Sequence, residues 1–106
     1  MRRIAAASAV VAGLLTAASS AWANEDLADK HACLNCHQVQ KKLVGPSFQA
    51  IAAKYRGQPD AAAKLVAKVA QGGSGVWGAV PMPAMSQVPS EDAKRLIDWV
   101  LQLPPG

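Results

Sequence analysis

Cys33-Leu34-Asn35-Cys36-His37 is the stretch on which the reading of this chain turns, and it holds both cysteines of the 106 residues. Two thiols three positions apart on a helical turn stand along one edge, where they match the two vinyl groups of a flat macrocycle. The histidine that follows then offers its imidazole to a metal at the centre. C-x-x-C-H is accordingly the attachment sequence of c-type haem. Three other chemistries use parts of the same stretch. A disulfide between Cys33 and Cys36 suits an oxidising compartment. A thioredoxin-like pair needs a βαβ setting, and no strand pattern accompanies this one. A zinc site would recruit Cys33, Cys36, His37 and His31, but a second C-x-x-C or a spaced pair of histidines is missing.

The N-terminus supplies the compartment. Met1-Arg2-Arg3 is followed by an uncharged run from Ile4 to Ala18, then by Ser19-Ser20-Ala21-Trp22-Ala23. A positive end, an apolar middle and an A-x-A ending make a secretory signal peptide, with cleavage expected after Ala23. The competing reading, an uncleaved membrane anchor, has nearly the length of a bilayer span, but its middle is Ala-rich and broken by Ser and Thr. Cleavage divides the chain into a signal at 1–23 and a domain at 24–106, with periplasmic localisation and no stable membrane insertion afterwards.

Removal of the signal also changes the arithmetic. The full chain carries 11 basic and 7 acidic side chains. Without Arg2 and Arg3 the balance is nine to seven, and no basic block interleaved with aromatics is left, so nucleic acid is not an expected partner. Only Phe48, Tyr55, Trp77 and Trp99 remain as aromatics. That is a thin supply for the core of a domain small enough to be marginal. A cofactor fills such a gap.

Spacing and punctuation predict an all-α domain with four short helices. The first is expected from about Glu25 to Cys36, with Asn24 as its N-cap. The second spans about Ser47–Tyr55, entered through Gly45-Pro46 and stopped by Gly57. The third runs from about Pro59 to Gln71, with Leu65, Val66 and Val69 on one stripe, and ends at Gly72-Gly73. The fourth runs from Ser90, as N-cap, to Leu103, with Leu96, Ile97, Val100, Leu101 and Leu103 on a broad apolar face. Between the last two, Gly72 to Val88 reads as a long irregular loop whose Val76-Trp77 and Val80-Pro81-Met82 call for burial. Loops of such length in a compact domain are commonly functional.

A haem iron coordinated by His37 has a second axial position to fill. His31 lies too close to Cys33 in the chain to cross to the far face and reads as a surface or helix-face histidine. Met82 and Met85 are the candidates. Pro81-Met82-Pro83 holds Met82 between two φ-restricted residues, whereas Met85 has a looser setting compatible with simple packing. Spacing favours Met82. With both axial positions protein-filled there is no open site for a substrate, and His/Met ligation raises the reduction potential. These features describe an electron carrier rather than an enzyme. A ligand-binding or peroxidase-like haem would want distal chemistry that 83 residues do not offer here.

These residues together resemble the short bacterial class I c-type cytochromes of the five-fifty-one group. The resemblance covers essentially all of 24–106. It is carried by Cys33-x-x-Cys36-His37, Val44-Gly45-Pro46, Gly75-Val76-Trp77-Gly78, Val80-Pro81-Met82-Pro83 and a closing helix with Trp99-Val100. It implies a cytochrome c fold, helices and a Met-bearing loop wrapped round one covalently bound haem c. His37 would be its proximal and Met82 its distal iron ligand. It also implies that Pro46 packs on the histidine side, where a backbone carbonyl holds the imidazole, and that Trp77 donates its indole N–H to a haem propionate. Lys68 would likewise contact a propionate, at a position where arginine is also common in the family, a point charge in place of a planar fork. One departure is Met85, which stands where relatives often carry an asparagine able to hydrogen-bond the ligand sulfur.

The implied function is a soluble, monomeric periplasmic carrier of single electrons in a respiratory chain. The redox partners would be a membrane cytochrome complex, a terminal oxidase or a periplasmic reductase. Lys30, Lys41, Lys42, Lys54 and Lys68 could border the haem edge and steer acidic partners, or form an ordinary solvated surface.

Overall fold

The computed structural model describes residues 5–9, 12–13 and 20–104. Most of the expected signal peptide, including its positive end, lies outside the described residues. Four α-helices follow one another: α1 (Ser20–Lys30), α2 (Phe48–Tyr55), α3 (Ala61–Gln71) and α4 (Ser90–Gln102). A short 3₁₀ turn, Cys33–Asn35, sits between α1 and α2. Among the described residues there is no strand, only isolated bridges at His37–Lys42 and Gly73–Met82. The expected all-α architecture is the observed one.

Local chemistry explains most of the boundaries. Ser47 caps α2 by accepting the Ala50 N–H at 3.0 Å, and Gly57, at φ 78°, ends it in a conformation that suits glycine. Helix α3 is rich in alanine, the best helix former, and carries an exposed Asp60–Lys64 pair at 3.2 Å worth a few tenths of a kcal/mol. The Asp60 side chain makes no cap hydrogen bond. Helix α4 begins one residue earlier than a Ser90 cap would place it: Pro89 occupies the N-cap position and Ser90 is the first helical residue. Glu91 and Asp92 lie in its first turn, where the helix dipole favours them.

The first helix differs from expectation at both ends. It contains Asn24 rather than starting after it, and it stops at Lys30 instead of Cys36. The stop is at Ala32, a non-glycine residue in the left-handed region at φ 62°. Cys33 and Cys36 therefore stand on a 3₁₀ turn and not at the end of an α-helix.

Helix α4 organises the packing. Its buried Ala93, Leu96, Ile97 and Val100 repeat at helical spacing, with Trp99 beside them. Ala28 of α1 and Ala52 of α2 are fully buried, small enough to bring their helices close. Trp99 meets Phe48 edge-on, with ring centroids 5.5 Å apart. His31, read from sequence as a surface or helix-face histidine, ties α1 to α4: its Nε2 lies 2.9 Å from Asp92 Oδ2, and its side chain is only 12% exposed. No large side chain among the described residues is fully buried. The protein closes around a cavity rather than around a side chain.

Candidate cofactor site

That cavity, about 520 Å³, lies between the 3₁₀ turn, α3, α4 and the loop that precedes α4. Cys33, Cys36, His37, Pro46, Lys68, Trp77 and Met82, the residues singled out from sequence, all line it. Leu65 and Val69 of α3 and Leu96, Ile97 and Val100 of α4 give it apolar walls.

The cysteine turn is built by the left-handed Ala32. Cys36 N–H donates to Cys33 O at 3.2 Å and His37 N–H to the same oxygen at 2.9 Å. In a 3₁₀ turn side chains three apart eclipse one another, so both thiols emerge along one edge. Burial pushes the Cys33 thiol above its usual range, which keeps it protonated in the free chain.

The imidazole of His37 is fixed from three sides. Nδ1 lies 2.7 Å from Pro46 O. A carbonyl only accepts, so Nδ1 carries the proton and Nε2 keeps its lone pair for a metal. Phe48 stacks on the ring, with centroids 5.3 Å apart and planes 20° from parallel. Gly45 presses on the third side. A Cβ at Gly45 would come 2.7 Å from His37 Cε1 and 3.0 Å from Nδ1. Gly45→Ala is thus expected to turn the ring and weaken the Pro46 bond. The cost is about 1–3 kcal/mol in denaturant unfolding of the haem-loaded protein, with displaced His37 ring resonances in its NMR spectrum. Unchanged stability and resonances would show that the loop yields instead.

The loop supplies the opposite wall. Val76, Trp77 and Val80, expected to be buried, are 47%, 44% and 66% exposed by protein alone, because they line the cavity rather than pack on other side chains. Lys54 Nζ sits 5.4 Å from the centre of the Trp77 ring, a cation–π contact between α2 and the loop. Met85, the rival of Met82, does not line the cavity. Its sulfur accepts from Gln87 Nε2 at 3.9 Å, and its N–H donates to Val69 O at 2.8 Å.

Phe48, Gly45 and the α4 wall were not singled out for the site from sequence. For Gly45 a signal existed in the Gly-Pro pair, but its closeness to a ring eight residues earlier is a tertiary fact.

These residues suit a haem. Two thiols on one edge, an imidazole with a free lone pair and a thioether are soft N and S donors appropriate to iron. The walls are apolar, and the volume is in the usual range for cofactor pockets. The zinc alternative has no such support, since no group of three or more His, Cys, Asp or Glu among the described residues could hold a bare ion.

Comparison with known proteins agrees. The cytochrome c family profile matches residues 23–104. Cytochrome c-552 of Nitrosomonas europaea is 50% identical over 92 residues, which cover 87% of this chain and 89% of that protein. Cytochrome c-551 of Allochromatium vinosum is 49% identical over 89 residues, covering 84% and 95% respectively. The crystal structure of wild-type N. europaea cytochrome c552 superposes with a TM-score of 0.71 at 52% identity, over 73% of this chain and 95% of that one. The chain therefore belongs to the cytochrome c family, as a small class I c-type cytochrome that holds one covalently attached haem c and transfers electrons rather than catalysing a reaction.

Proposed function

We propose that this cytochrome is an exported, periplasmic carrier of single electrons whose haem iron is ligated by His37 and Met82 and whose haem is bonded to Cys33 and Cys36. One observation carries the reading: both prospective axial ligands and both thiols line a single apolar cavity. When bound, the haem supplies the one-electron couple. Cys33 and Cys36 make its attachment permanent, and His37 offers Nε2 with its orientation set by Pro46, Phe48 and Gly45. Met82 would be the second iron ligand and would keep external ligands from the metal. Leu65, Val69, Leu96, Ile97 and Val100 keep water out and so favour the less charged, reduced state. Lys68 and Trp77 are the groups for a propionate.

Charge is distributed to match. Six of the seven acidic side chains lie on α1 and α4, Glu25, Asp26, Asp29, Glu91, Asp92 and Asp98, against three basic ones on the same helices, Lys30, Lys94 and Arg95. Lys42 and Lys68 line the cavity and Lys54 stands over Trp77 at its edge. Such a separation orients the protein toward an acidic redox partner, a membrane cytochrome complex, terminal oxidase or periplasmic reductase.

Residues 1–23 act as the cleaved export signal, which fits a family match that begins at residue 23. Among the described residues no helix is long and apolar enough to cross a membrane. The test is a redox titration of protein recovered from the periplasmic fraction. A reversible one-electron transition is expected from a species whose intact mass equals residues 24–106 plus one haem. A mass that retains residues 1–23 overturns the export reading, and a haem that cannot be cycled overturns the carrier reading.

A further inference from the structure

The Met82 segment of the loop is held by main-chain hydrogen bonds to the last turn of α3 and to the glycine that follows its cap. Gly73 and Met82 exchange two hydrogen bonds, Gly73 N–H to Met82 O at 3.0 Å and Met82 N–H to Gly73 O at 2.8 Å. Pro81 and Pro83 have no N–H, so Met82 is the one main-chain donor between 81 and 83, and that donor is spent on Gly73. Met85 N–H adds a third bond to Val69 O at 2.8 Å. Residues 82–85 thus lie directly against the end of α3, whose Leu65, Lys68 and Val69 line the same cavity.

Gly72 makes that approach possible. Its backbone, φ 67° and ψ −163°, lies in a region essentially confined to glycine. A Cβ there would come 2.5 Å from Met82 O, 2.7 Å from Ala84 N and 2.8 Å from Pro83 C. All three are main-chain atoms, and none can rotate aside. Two prolines flanking Met82 stiffen the segment, so a push at residue 72 moves Met82 as a unit.

From this we infer that Gly72 is a positioning residue for Met82, setting the depth at which the thioether enters the cavity. The inference rests on the reading of Met82 as the distal ligand. Gly57 provides the control: it too has a positive φ, 78°, yet nothing lies within 4 Å of its Cβ position.

The experiment compares ferric haem-loaded wild type, Gly72→Ala, Gly57→Ala and Met82→Ala. It reads the far-red absorption band of methionine-bound ferric haem and the apparent affinity for added imidazole, which competes with the methionine. Gly72→Ala is expected to weaken the band and bind imidazole at least about tenfold more tightly, because the open fraction rises by that factor. Gly57→Ala should lose thermal stability while its imidazole affinity stays within about twofold of wild type.

A Gly72→Ala protein with wild-type band and affinity overturns the inference while leaving the ligand reading intact. A band that survives in Met82→Ala overturns both. If Gly72→Ala does not accumulate, hydrogen exchange of the wild-type Met82 amide decides. Slow exchange that becomes fast when imidazole displaces the ligand supports the cradle, and fast exchange from the start overturns it.

Discussion

Met82→Ala is expected to abolish the far-red band of the ferric protein and to let the ferrous protein bind carbon monoxide on mixing, whereas Met85→Ala leaves both properties as in wild type. The asymmetry follows from what each sulfur touches. Met82 lines the cavity, with its main chain held on both sides by Gly73. Met85 is directed away, its sulfur accepting from Gln87 and its N–H committed to Val69. Alanine at 82 removes the only thioether that lines the cavity among the described residues. The thioether favours the reduced iron, so its loss should also lower the reduction potential. A fall on the order of 0.1 V or more is expected, a modest part of the about 0.8 V over which axial ligands set haem potentials. Carbon monoxide flash-recombination and a potentiometric titration of the two variants measure both effects. The opposite pattern, with Met85→Ala losing the band, would sink the assignment. Rapid carbon monoxide binding by the wild type would do the same for the idea that the second axial position is closed.

What could be read from sequence, and what could not, divides along a physical line. Helix ends marked by glycine were legible: Gly57 closes α2 and Gly72 closes α3, because only glycine adopts those conformations without strain. The end of α1 was not. It is set by Ala32 in the left-handed region, where nothing local announces it, and the tertiary requirement to turn the cysteines toward the cavity overrides the preference of alanine for helix. The buried Ala93, Leu96, Ile97 and Val100 of α4 could be anticipated in large part from periodicity, since burial of a helix face is a repeating property.

Contacts between distant segments carry no such periodic signal. His31 and Asp92 are 61 positions apart, and the histidine alone reads as a surface or helix-face residue until α1 is laid across α4. The same holds for Trp77 and Val80. Their apolar character said that something should cover them, and the covering surface is the cavity rather than another helix. For the site, the chemistry-bearing residues could be listed from motifs and from the family resemblance. The residues that aim them, Gly45 on His37 and Gly72 on the Met82 segment, act through close approach of atoms that only a folded chain brings together.

The largest expected effect belongs to the two cysteines. Cys33→Ala/Cys36→Ala is expected to leave a chain that neither retains haem through denaturation nor holds its helices without it. The reason is volumetric. The cavity of about 520 Å³ is bounded by residues from every helix except α1, and no large side chain among the described residues is fully buried elsewhere. Without haem the apolar walls of that space face water, and the burial that holds α2, α3, α4 and the loop around it is lost. Small domains have only about 5–15 kcal/mol of net stability in total. Phe48 and Trp99 are the only buried aromatics among the described residues, so the chain has little with which to refill the space by repacking. The polar framework is equally thin: Ser47 is the one buried polar residue described, the His31–Asp92 pair fastens α1 to α4, and an exposed Arg56 Nη2–Leu103 O bond of 3.3 Å joins the ends of α2 and α4. Haem staining after denaturing electrophoresis should therefore be negative for the double variant, and its far-UV circular dichroism should show mostly coil with no cooperative thermal transition. Either single variant keeps one thioether and should retain haem and helicity in part. A double variant that unfolds cooperatively from a fully helical state without haem would show that the four helices form their own core. In that case the cavity would be a site added to a fold, not the centre about which the fold is made.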